Sequence, residues 1–140
     1  MKAYLTRRYR ISASHRLQSD ALTNEQNRAV YGKCNNPYGH GHNYTLEVTV
    51  SGQVRPDTGM VCDLSELDGA VSNFVVNRFD HQNLNTLADF AARVPTTENL
   101  ALVIYDILKR SFTAAHLEKL RIEETLMNSF EYAGDAEVHR

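Results

Sequence analysis

The run Tyr44-Thr45-Leu46-Glu47-Val48-Thr49-Val50 alternates apolar and polar side chains without a break. That period of two is the mark of a strand with one buried face, so this stretch commits the chain to a sheet. His40-Gly41-His42-Asn43 stands directly before it, and the parity carries through. His40 and His42 therefore fall in register with Tyr44, Leu46, Val48 and Val50, and two imidazoles spaced this way project to one face. Histidine nitrogen is a favoured zinc ligand, and a third ligand completes a site of the catalytic kind with one position open. Upstream, Cys34-Asn35-Asn36-Pro37-Tyr38-Gly39 is rich in turn formers. The bland alternative is that two histidines flanking a glycine are ordinary loop residues, and the rest of the chain has to decide between the two.

Another strand is expected over Leu5 to His15, where Leu5, Tyr9, Ile11 and Ala13 share one parity with Arg7 as the exception. His15 ends that run on the apolar parity. If the two strands pair antiparallel, all three histidines converge. Gln18 to Tyr31 is polar and reads as a loop or a short helix. A helix is expected from Leu64 to about Arg78, with Leu64, Leu67, Val71, Phe74 and Val75 on one face. Adjacent strand residues point apart, so Asp80-His81 is expected in a turn or irregular backbone. A second helix follows Pro95, capped by Thr96 or Thr97, with Glu98 in its first turn, and runs to about Ser111. The last elements read as a hairpin, Lys119 to Leu126 and Asn128 to Ala133, with a frayed tail after Gly134. Glu124 is the misfit there, a carboxylate in the register of Leu120, Ile122 and Leu126. Either it lies at an exposed rim or at a register slip, or it binds a polar ligand edge, since a buried acid needs a partner.

The expected fold is thus α+β, ββααββ, with a four-stranded antiparallel sheet and two helices on one face. At 140 residues one domain over 1–140 is expected. Such a sheet leaves two edges bare, which favours edge-to-edge association into a ring or barrel. The formal net charge of -2 gives no general reason for a nucleic-acid or membrane surface. Two cysteines make no disulfide framework. With no apolar leader or membrane-spanning run, a cytoplasmic protein with reduced thiols is expected. Cys62 reads as a small buried hydrophobe, Asp63 and Asp68 as capping or solvated residues, and His116 and His139 as surface residues.

Six blocks in order resemble the 6-pyruvoyl-tetrahydropterin synthase family: Ser12-Ala13-Ser14-His15-Arg16-Leu17, Gly32 through Tyr44, Thr58-Gly59-Met60-Val61, Asp80-His81-Gln82-Asn83-Leu84, Pro95-Thr96-Thr97-Glu98-Asn99 and Glu124-Thr125. The related 6-carboxytetrahydropterin synthases of queuosine biosynthesis typically have a shorter spacing from the cysteine to His-Gly-His. Five residues separate Cys34 from His40 here, which is similar to the pyruvoyl branch.

The resemblance implies a lyase that converts 7,8-dihydroneopterin 3′-triphosphate to 6-pyruvoyl-tetrahydropterin with release of triphosphate. It implies the tunnelling fold, a trimeric β-barrel, and a homohexamer made of two trimers. By matching positions, His15, His40 and His42 are the implied Zn2+ ligands. Cys34 is the implied general base, and Asp80 with His81 a second proton-transfer pair. Glu124 is the implied pterin anchor, helped by Thr97 and Glu98. Leu126-Met127-Asn128 departs from the family pattern by being less polar. Arg16 and Lys33 are triphosphate candidates by charge alone. Two alternatives stay open: the 6-carboxytetrahydropterin synthase reaction, and a non-catalytic domain with a closed zinc site of Cys34 and the three histidines.

Overall fold

The computed structural model describes residues 2–135. His139 and the end of the tail expected to fray lie outside them. Strand β1 (Lys2–His15) leads through helix α1 (Asn24–Tyr31) and a 3₁₀ turn (Gly32–Asn35) to β2 (His40–Gln53). Helix α2 (Leu64–Val71) continues through a π-helical segment (Ser72–Val76) into α3 (Asn77–Phe79). The short strand β3 (Gln82–Asn83), helix α4 (Thr97–Ser111) and the strands β4 (His116–Thr125) and β5 (Asn128–Tyr132) follow. The segment left open between loop and helix contains α1, which starts at a reciprocal capping box of Thr23 and Gln26.

Two expectations need correction. The sheet has five strands in the order β3-β1-β2-β4-β5, and it is mixed because β3 runs parallel to β1. A two-residue strand carries no alternation to read. It is recruited by hydrogen bonds of its flank: the His81 N–H donates to Ser12 O, and the Ser12 N–H donates to Asp80 Oδ1 at 2.8 Å. Asp68 is neither a cap nor merely solvated. Arg7 donates to it twice, at 3.0 and 2.9 Å, and the Tyr9 hydroxyl donates at 2.7 Å. Arg7 breaks the parity of β1 because it faces α2. The pair is exposed enough to orient that helix rather than to contribute much stability.

The buried apolar residues of the strands keep one parity within each strand, except that a register shift at Thr49/Val50 brings Leu117 of β4 onto the same face as Leu120. Ile11, Ala13 and His15 of β1, Tyr44, Leu46, Val48 and Val50 of β2, and Leu117, Leu120 and Ile122 of β4 all lie under the helices. Leu67 and Val71 of α2 and Leu100, Ile104 and Leu108 of α4 close this core from the other side. Each such side chain contributes roughly 1.5–3 kcal/mol by leaving water. The opposite face is polar, with Arg8 and Arg121 both on the Glu47 carboxylate. Cys62 is buried and free, as its reading as a small hydrophobe expects. Asp63 caps α2 by accepting from the Ser65 N–H, and His116 is exposed. No helix among the described residues is long and apolar enough to cross a membrane.

Candidate metal centre and active site

The register of β1 against β2 decides the site. The strands pair antiparallel from Lys2 opposite Gln53 to His15 opposite His40. Directly opposed residues on one face have Cβ atoms about 4.5–5.5 Å apart, so His15 and His40 meet, and His42 joins them from the next position on that face. The ring centroids lie 4.9 Å apart for His15–His40, 4.9 Å for His15–His42 and 4.4 Å for His40–His42.

Cys34 reaches the same point from the 3₁₀ turn before β2. Its loop returns past the end of β1 at Gly39, whose φ is +74° and where a Cβ would stand 2.9 Å from His15 O. Only glycine fits such a pass. One donor atom from each of His15, Cys34, His40 and His42 lies within 4.8 Å of the others.

The protonation of the group suits a metal ion. His15 Nδ1 is 2.8 Å from the Pro95 carbonyl oxygen, a bond it makes as donor. That leaves Nε2 as the bare nitrogen, facing His40 Nε2 at 3.1 Å. A backbone carbonyl behind a ligating imidazole is the usual way to fix its tautomer. Burial pushes His15 and His42 below the ordinary histidine value, holding their lone pairs available. His42 Nε2 is buried and lacks a hydrogen bond. The Glu124 carboxylate is 3.1 Å away but off the N–H direction. A buried nitrogen with no hydrogen bond, amid two more imidazoles and a thiol, is a donor set that could hold a metal ion. His42→Ala is expected to keep the fold and to weaken metal binding by at least about 100-fold, beyond the loss of an outer-shell partner. Chelator competition measures this; parental affinity would take His42 out of the site.

Glu124 borders the cluster. The β4–β5 register is irregular between Glu123 and Thr125. The register slip and the buried carboxylate thus occur together, and the Glu124 side chain, 13% exposed, turns in toward His42. Thr96, not Thr97, caps α4 by accepting from the Asn99 N–H. The Thr97 hydroxyl is buried near the Tyr44 hydroxyl, with which it interacts, though not in good hydrogen-bond geometry. Glu98 is exposed on the first turn of α4. Burial, then the Glu124 carboxylate, pushes the Cys34 thiol above its ordinary value.

Asp80 and His81 stand apart from this group. Asp80 spends one oxygen on the Ser12 N–H and holds the other 3.5 Å from His81 Nε2. The His81 backbone is left-handed, with φ 59°, and its side chain is 80% exposed. The irregular backbone expected at this pair is present. Among the described residues no hydrogen bond or ion pair joins His81 to Cys34 or to the histidine cluster.

The family model described as 6-pyruvoyl tetrahydropterin synthase matches residues 4–135. The 6-pyruvoyl tetrahydrobiopterin synthase of Poecilia reticulata is 47% identical over 133 residues, spanning 94% of this chain and 90% of that protein. The chain belongs to this family. The human 6-pyruvoyl tetrahydrobiopterin synthase is 43% identical, across 96% of this chain and 93% of its own. The solved 6-pyruvoyl tetrahydropterin synthase of Caenorhabditis elegans superposes with a TM-score of 0.91 at 40% identity, covering 96% of each chain.

Two parts of the site escaped the sequence. The Pro95 carbonyl is a backbone group and leaves no residue-type signal. Tyr44 is a buried phenol whose oxygen lies 3.4 Å from His15 Nδ1 and whose ring packs 5.5 Å from that of His42. It shares the parity of His40 and His42, so that parity was the signal that could have found it. Burial, then Glu124 and Cys34, push its hydroxyl above the ordinary tyrosine value.

Proposed function

We propose that this member of the 6-pyruvoyl tetrahydropterin synthase family is a zinc-dependent lyase. It converts 7,8-dihydroneopterin 3′-triphosphate to 6-pyruvoyl-tetrahydropterin and releases triphosphate in the cytoplasm. One observation carries the reading: His15, His40 and His42 converge with Cys34 in one cluster bordered by the Glu124 carboxylate.

His15, His40 and His42 would hold Zn2+, which three imidazoles and a nearby thiol suit better than they suit a hard cation. Bound there, zinc supplies Lewis-acid polarisation of the substrate's side-chain oxygen. Cys34 takes the proton released beside that oxygen. Its thiol is pushed up in the chain alone, so its thiolate depends on positive charge held at the cluster. His81 gives and takes a proton while Asp80, 3.5 Å from its Nε2, orients it. The reaction redistributes hydrogen between side chain and ring, so no external reductant is required.

Glu124 accepts the adjacent amino and ring N–H groups of the pterin, and the buried Thr97 hydroxyl, near Tyr44, supplies a further polar contact. Glu98, exposed on the first turn of α4, supplies a further contact. Hydrogen bonds to a charged partner are worth about 1.5–3 kcal/mol, so Glu124→Gln is expected to weaken pterin binding by at least about tenfold. Its thermal midpoint should move little. Fluorescence titration with an unreactive pterin measures the first and a melting curve the second. A variant that binds like the parent would return Glu124 to a structural role.

The exposed sheet edges are covered in a trimeric β-barrel, two of which stack as a homohexamer. Product mass from dihydroneopterin triphosphate with zinc present tests the whole reading. A product that retains the three side-chain carbons supports it, and release of acetaldehyde assigns the 6-carboxytetrahydropterin synthase reaction instead. Because the Cys34 donor lies within the same 4.8 Å group as the histidines, a closed Cys-His₃ structural site is the second reading. Cobalt substitution separates them: strong thiolate-to-metal charge transfer that substrate leaves unchanged marks the closed site.

A further inference from the structure

Asn35 is 6% exposed although Asn36, Pro37 and Tyr38 beside it face solvent. A buried side-chain amide has to find partners. Its Nδ2 donates to Leu17 O at 2.7 Å and to Gln18 Oε1 at 2.7 Å. The Asn35 carbonyl accepts from Arg16 Nε at 3.2 Å, and the Leu17 N–H donates to the Cys34 carbonyl at 2.6 Å. These bonds stitch residues 34–35 to residues 16–18, the segment that leaves β1 directly after His15. His15 itself is fixed through Nδ1 by the Pro95 carbonyl. The position of the thiol over the imidazoles is therefore inherited from a buried amide one residue away.

We propose that Asn35 is a positioning residue for Cys34: it sets where Sγ stands relative to the histidine cluster, and with that the rate of proton transfer, without touching metal or substrate. The proposal rests on the reading of Cys34 as the base. Loop glue alone would explain the burial of Asn35. It would not require its loss to act on turnover while leaving metal and substrate binding untouched. That selective loss is the expectation here, because the histidines are fixed by the β1–β2 ladder and by the Pro95 carbonyl and the pterin contacts come from α4 and β4, whereas Asn35 bonds to residues 16–18 beyond the end of β1.

The test uses zinc-loaded Asn35→Ala, Asn35→Asp and Gln18→Ala, with Cys34→Ala as the reference. Asn35→Asp keeps the shape but turns an acceptor oxygen toward two acceptors. Three quantities are read: kcat and KM on dihydroneopterin triphosphate, zinc affinity by chelator competition, and the rate of Cys34 alkylation by iodoacetamide against buried Cys62. A displacement of about 1 Å costs on the order of 100-fold in rate. Both Asn35 variants should lose about that much kcat while KM and zinc affinity stay parental, and Cys34 should be alkylated faster relative to Cys62. Gln18→Ala removes one of the two acceptors and should lose less. A lowered melting temperature with parental kcat per folded enzyme would overturn the proposal. If the Asn35 variants do not fold, parental kcat in Gln18→Ala would overturn it. If Cys34→Ala retains turnover, the reading of Cys34 as base fails; alkylation then decides the placement alone, and an unchanged rate would overturn it.

Discussion

Cys34→Ala is expected to bind zinc and an unreactive pterin like the parent and to lose turnover by about 100- to 10,000-fold, the range that one general base supplies. The expectation follows from where the groups come from. On the proposed reading zinc would be held by His15, His40 and His42, which are placed by the β1–β2 ladder and, for His15, by the Pro95 carbonyl rather than by the thiol. The pterin would be held at Glu124, near the C-terminal end of β4. A base acts only as the proton moves, so removing it spares ground-state binding. The Cys34 thiol is pushed up by burial and by Glu124 in the chain alone. Turnover should therefore fall steeply when zinc is removed even where substrate still binds, because the charge that favours the thiolate leaves with the metal. Single-turnover kinetics beside chelator competition measure both sides. Release of zinc from Cys34→Ala would make Cys34 a ligand and would end the open-site mechanism.

The histidine cluster was legible because strand parity is a rigid constraint. Once Tyr44 to Val50 is a strand, His40 and His42 must share its buried face, and His15 must share that of β1. What parity does not give is register. His15 opposite His40 is a fact of the β1–β2 ladder, and a slip of one residue would have sent the histidine to the other face. Glu124 was legible for the opposite reason, as a residue that broke its pattern. The structure explains the break by an irregular β4–β5 register that turns the carboxylate inward. Strand β3 was invisible because two residues have no period. The anchoring role of Asp68 was invisible because its partners, Arg7 and Tyr9, are some sixty residues away in sequence. Pro95 acts through its carbonyl, which every residue type possesses. Residues that act through side-chain type at a fixed spacing showed in the sequence; those that act through backbone or distant pairing did not.

Mixed oligomers of Cys34→Ala and His81→Ala are expected to regain activity that neither variant has alone. Within one chain, Cys34 is tied to the segment after His15, on the helix-covered side of the sheet. His81 is tied by its backbone to Ser12 and by Asp80 to the same residue, whose side chain joins Asn43 on the polar face. The imidazole is 80% exposed and stands beside β3, the strand at one edge of the sheet. An imidazole so exposed has little to fix its side-chain geometry beyond Asp80 at 3.5 Å. A neighbouring subunit laid along that edge would bury it and could bring a second chain's Cys34 within reach, in the inter-subunit setting where ligand pockets often form. If the two variants are dissociated and reassembled together, some junctions receive an intact Cys34 from one chain and an intact His81 from the next. In a random equal mixture about a quarter of the junctions would do so, by simple combinatorics applied to a symmetric ring. Native mass spectrometry verifies the mixing and product formation reads the recovery. Mixed oligomers that remain as inactive as either parent variant would place both residues in one subunit, and the shared site would have to be given up.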